Sequence, residues 1–135
     1  MGLDNGICVK NTEYSRAIHS KVNMFSDSIY TERGADYEFA YWRKCWNVRE
    51  EIIHILGGWE GDMYAYSLSI ENVEKIIKVL SNYNFKNWEY GGFLGSIWTW
   101  REHKKVNGRH IRQLKYLVRL MKRYPELEVY FYDSY

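Results

Sequence analysis

A chain of 135 residues, 46% hydrophobic and 27% charged, is long enough for one domain with its own core and has a globular rather than a disordered or fibrous composition. Its formal charge of +2 argues against a protein that coats long duplex DNA. Two separated cysteines, Cys8 and Cys45, and no apolar run of spanning length predict a reducing, cytoplasmic setting without a disulfide framework or a membrane partner.

Two imbalances remain. Aromatic residues make up 18% of the chain, with 13 Tyr, 6 Trp and 5 Phe. Rings in that number overfill a small core, so several are expected at the surface, where Tyr and Trp favour interfaces. Charge is also uneven. Residues 1–100 hold 10 basic against 13 acidic side chains, while residues 101–135 hold 9 against 4.

In chain order, Asp4-Asn5-Gly6 is turn chemistry and Ile7-Cys8-Val9 a short β-favouring run. Residues 11–35 carry scattered apolar positions without a period and read as an irregular loop holding at most one strand. A loop of that length in a small domain is usually functional or mobile. Residues 36–56 read as the central helix. Phe39, Trp42, Trp46, Ile53 and Leu56 form one apolar row, and Tyr41, Cys45, Val48, Ile52 and Ile55 a second, so the helix is expected to pack on several sides. Gly57-Gly58 supplies its stop.

Arg49 interrupts the first row. A guanidinium there must reach solvent, pair with a carboxylate or stack on a ring. One account is a snorkelling side chain or a structural ion pair; the other is an anion-binding arginine beside Trp42 and Trp46.

Residues 63–68 pattern as a strand, and Ser69 caps a helix to about residue 83. Glu71–Lys75 and Glu74–Lys78 on its exposed side are spaced i,i+4 in the favourable order. Residues 88–100 set three glycines among large hydrophobes, as in a tight turn or a bulged strand. A third helix is predicted from about residue 108 to residue 124, with Ile111, Leu114, Leu117, Val118 and Met121 on its apolar side and Pro125 just beyond its end. Residues 127–132 close the chain as a strand. The elements predict an α+β fold, a single domain of about three helices packed on a small, mainly antiparallel sheet.

Three pieces carry a family likeness: the opening Met1-Gly2-Leu3-Asp4-Asn5-Gly6, the central Tyr41-Trp42-Arg43-Lys44-Cys45-Trp46, and the aromatic C-terminal strand. In this order they resemble small uncharacterised proteins of bacteriophages and their hosts, which open with a Met-Gly-Leu-Asp box and carry a Tyr-Trp-Arg-Lys box on a helix. Many members have Ile-His where this chain has Val48-Arg49, so no role of that histidine carries over. The resemblance implies an α+β fold and a phage or prophage origin in a host cytoplasm, but no established activity.

The strongest chemical signal is the basic helix. From His103 to Arg123 there are eight Lys or Arg and no acid, with Tyr116 and Trp100 close in sequence. Charge for phosphates and π-faces for bases are what a phosphate-bearing partner needs. The plain alternative is a solvated helix face balanced by acids elsewhere. The residues expected to hold a ligand are Arg43, Arg49, Trp42, Trp46, Trp100, Arg109, Arg112, Lys115, Tyr116 and Arg119.

Catalysis and metals draw less support. Glu51 and His54 have Glu-x-x-His spacing, but a di-iron site needs a second such pair. His103 and His110 have no companion cysteines, and nothing in the spacing of Asp4, Glu13, Asp27 and Glu32 selects a catalytic pair. No cofactor is expected.

Three functions follow. The first is a non-catalytic phage-type binding protein that antagonises a host defence, either by sequestering a nucleotide-type signal or by covering a nucleic-acid-binding surface of a host protein. The second is a small enzyme on nucleotide or phosphorylated substrates, with Arg43 and Arg49 as anion clamps. The third is a direct protein inhibitor or assembly partner. Surplus Tyr and Trp suit the isologous interface of a homodimer.

Overall fold

The first and last strands lie side by side at the middle of the sheet. In the computed structural model, which describes residues 4–31, 34–43, 46–57, 65–82 and 100–134, β1 (Asp4–Val9) runs antiparallel to both β3 (Gly34–Arg43) and β5 (Val129–Ser134). With β2 (Asp27–Thr31) and β4 (Ala65–Ser67) on the outside, the order is β2-β3-β1-β5-β4 and every pairing is antiparallel. Alternation sorts the side chains. Ile7, Val9, Trp42, Val129 and Phe131 are buried in the core, while Asp4, Gly6, Cys8, Tyr130 and Tyr132 take the opposite face.

Helices α1 (Glu13–Ala17), α2 (His19–Val22), α3 (Trp46–Ile55), α4 (Ile70–Ser81) and α5 (Trp100–Arg123) all contribute side chains to that one core. The result is a single small α+β domain. Val48 and Ile52 enter from α3, Val73, Ile76 and Leu80 from α4, and Leu114, Leu117, Val118 and Met121 from α5. Ser69 caps α4 as its sequence predicts: its Oγ accepts the Asn72 N–H at 3.1 Å, and the Asn72 side chain returns the bond. Asn107 of α5 donates to the Leu80 carbonyl at 2.9 Å, satisfying an acceptor in the last turn of α4. Among the described residues, no helix is long and apolar enough to cross a membrane.

The helix expected over residues 36–56 is two elements. Its first half is β3, and only Trp46–Ile55 is helical. A β-bulge is the reason for the difference. Ile7 pairs with Ala40 and Cys8 with Glu38, so Phe39 is an extra residue that breaks the period-two alternation. Phe39 and Trp42, both buried, thereby sit three apart and imitate a helical row. The Tyr-Trp-Arg box accordingly ends a strand instead of riding a helix. Gly57 does stop α3, at φ +93°.

Other boundaries also differ. Asp4-Asn5-Gly6 belongs to β1 and forms no turn, because each residue serves a cross-strand contact. Residues 11–35, expected to be irregular, hold α1, α2, one 3-10 turn (Asn23–Phe25) and β2; elements of three to five residues are too short to show a period. Among the described residues five α-helices are present where about three were expected, and α5 begins at Trp100, well before residue 108. The expectations for residues 88–99, for Met63 and Tyr64, and for Lys44, Cys45 and Gly58 lie outside the described residues.

Candidate functional site

Helix α5 presents two unlike sides. Its apolar row and His110 enter the core, which leaves Arg109, Arg112, Tyr116 and Arg119 at steps of three and four along an outer stripe. The facing wall is the 3-10 turn. Val22, fully buried just before it, anchors the turn in the core, and Ser26 Oγ donates back to the Val22 carbonyl at 2.9 Å. Met24 and Phe25 consequently project outward, 62% and 48% exposed.

Two hydrogen bonds fix this wall against the helix. Gln113 Nε2 donates to the Phe25 carbonyl at 2.8 Å, and the Tyr116 hydroxyl donates to the Lys21 carbonyl at 2.8 Å. The Phe25 and Tyr116 rings meet edge to face, with centroids 4.8 Å apart at 71°. Arg119 places its guanidinium carbon 5.5 Å from the Tyr116 ring centre. Between wall and helix lies a groove of about 700 Å³ lined by Phe25, Arg109, Arg112, Gln113, Lys115, Tyr116 and Arg119. Among the described residues, none of its four cations makes a salt bridge. Lys122, further along α5, approaches Glu74 of α4 at 4.0 Å instead.

Five of the expected ligand-binding residues therefore converge: Arg109, Arg112, Lys115, Tyr116 and Arg119. Trp42, Arg43 and Arg49 do not join them. Trp42 is buried and stacks edge to face on His110, centroids 5.0 Å apart. Arg49 is committed to Asp133, and Arg43 lies on the sheet face away from the helices, paired in register with Asp4. Nothing is described of the Trp46 and Trp100 side chains. Phe25 and Gln113 complete the groove from outside the predicted set. Phe25 sits in the aperiodic stretch, where no pattern in the sequence announces an outward ring.

A second polar group occupies the sheet face opposite the helices. Tyr41 donates to Asp4 and Tyr130 to Asp36, each at 2.5 Å, and Tyr132 donates to Glu38 at 2.9 Å. Burial raises all three phenols well above their ordinary range, and the neighbouring carboxylates raise them further. Cys8 lies among them, its thiol pushed up by burial and by Glu38. Both effects favour the protonated forms of these groups at neutral pH. Glu51 and His54 are both exposed on α3. Among the described residues, no cluster of three His, Cys, Asp or Glu is placed to hold a metal.

Compared with protein-family models, with curated proteins and with solved structures, the chain matches none of them.

Proposed function

We propose that this chain is a small non-catalytic binding protein that captures a nucleotide-type ligand in the α5 groove. One observation carries the reading: four cations without salt-bridge partners among the described residues surround a fixed pair of aromatic rings. The guanidiniums and Lys115 meet phosphate oxygens, with Arg able to engage them through two parallel N–H bonds. The exposed Phe25 ring offers a π-face to a base. Among the described residues the groove lining holds no carboxylate, histidine or thiol, the groups that most often carry acid–base or covalent chemistry, so capture without turnover is the activity that fits it. Together with the resemblance to phage proteins, capture points to sequestration of a nucleotide-type signal in an infected host, as an antagonist of its defence.

Thermal unfolding against a panel of nucleotides, cyclic nucleotides and ADP-ribose derivatives, with mass spectrometry of each mixture, tests this. A ligand at a hundred times its dissociation constant adds about 2.7 kcal/mol of stability. A raised melting temperature with the ligand recovered intact supports capture. Altered ligand would make the protein an enzyme, and a flat panel would remove the nucleotide and leave a protein partner.

A further inference from the structure

The cations of the groove are not gathered at one end. Arg109 and Arg119 stand ten positions apart on one helix, about 15 Å along its axis. Tyr116, packed on Phe25, lies between them, about 10 Å from Arg109 and about 4.5 Å from Arg119 along that axis. Arg112 falls on the Arg109 side. Because Tyr116 is tied to the Lys21 carbonyl and the Phe25 carbonyl to Gln113, the ring pair is fixed at this point of the helix, with Arg119 over the Tyr116 ring and Arg109 and Arg112 about one to two turns toward the N-terminus.

A nucleoside mono- or triphosphate carries its phosphates on one side of its base and would engage the cations on one side of the rings. We infer that the groove is matched to a ligand with phosphates on both sides of the stacked base: a short single-stranded segment of nucleic acid, three nucleotides being enough to flank a central base. This rests on the nucleotide reading above and makes it more specific. Stacking is tolerant of sequence because every base has a π-face, so the groove selects for strand geometry before base identity.

The test is calorimetric titration of the full chain with AMP, ATP and the 5′-phosphorylated trinucleotide of adenine, in ribo and deoxyribo forms. ATP concentrates its charge at one end, whereas the trinucleotide spreads three phosphates along the strand. The trinucleotide is expected to bind at least about tenfold tighter than ATP, the gain of one further stacked or bridged contact. Its affinity is expected to fall with salt at a log–log slope near −2, about −0.7 for each phosphate neutralised. Arg109→Gln and Arg119→Gln, exposed changes on opposite sides of the rings, should each flatten that slope by about 0.7. ATP binding as tightly as the trinucleotide, or a slope unmoved by either substitution, overturns the inference and leaves simple nucleotide capture standing. Absence of binding by all three ligands overturns both.

Discussion

The carboxylate of Asp133 on β5 receives both Nε and Nη2 of Arg49 on α3, at 2.7 and 2.8 Å, and a third bond from Asn5 Nδ2 on β1 at 2.7 Å. Asp133 has no exposed side-chain surface and Arg49 only 13%. This two-pronged pair ties the helix to the centre of the sheet. Removing one partner strands the other charge in the core, which costs about 3–5 kcal/mol. Arg49→Ala and Asp133→Ala are each expected to lose stability of that order in urea unfolding. Arg49→Lys should recover only part of it, because an ammonium cannot form the parallel pair. A loss under about 1 kcal/mol for Arg49→Ala, the size of an exposed pair, would show that the bridge does not hold the fold.

Gly6 is required for packing. A Cβ built there would come within 2.7 Å of Tyr132 Cζ, because the Tyr132 ring lies across the glycine to reach Glu38. Gly6→Ala must displace a ring whose hydroxyl is held at 2.9 Å, and overpacking of this kind costs about 1–3 kcal/mol. In a Tyr132→Ala background the same change should cost much less, and a double-mutant cycle in urea reads the difference. Additive losses would mean that the two residues do not compete for space.

His110 gives the fold a pH dependence of definite sign. Its Nε2 accepts the Tyr41 backbone N–H at 3.3 Å, so the ring is neutral in the fold. Burial, with help from Arg109, lowers its pKa from 6.5 to about 3. Between those values the unfolded chain binds a proton that the native chain does not, and stability therefore falls as pH drops from about 6.5 to about 3. The slope from this residue approaches about 1.4 kcal/mol per pH unit. Glu38, raised chiefly by burial, acts in the opposite sense, which a comparison of wild type with His110→Gln cancels. Their stability difference should change with acidification across that window. A constant difference would mean that His110 already carries its proton in the fold.

Helices α4 and α5 and strand β5 were legible because each has one dominant period, and their caps and stops are local: Ser69 before one helix, Pro125 after another. The failures share a different origin. The bulge at Phe39 is set by the register against β1, which no window of neighbouring residues contains, and it turned a strand into an apparent helix. Arg49 could be read only as a choice between ion pair and ligand contact, because its partner lies 84 positions away. Half of the groove was visible, since the stripe on α5 repeats at helical spacing. Its facing wall was not: Phe25 is brought to Tyr116 by tertiary contacts across 88 to 95 residues.

That wall can be tested separately from the charge. Phe25→Ala removes the exposed ring while leaving every cation in place. Affinity for a nucleotide-type ligand should fall by about 1–3 kcal/mol, with the salt slope unchanged, because no phosphate contact is lost. Arg112→Gln should lower both affinity and slope. Gln113→Leu touches neither ring nor charge but releases the Phe25 carbonyl; affinity should fall several-fold, the cost of ordering a wall that was previously held in place. Titrations of the three variants at two salt concentrations separate these effects. If Phe25→Ala and Phe25→Ala/Tyr116→Ala both bind as wild type does, the ligand is held by charge alone, and an acidic protein surface becomes the better account of the groove.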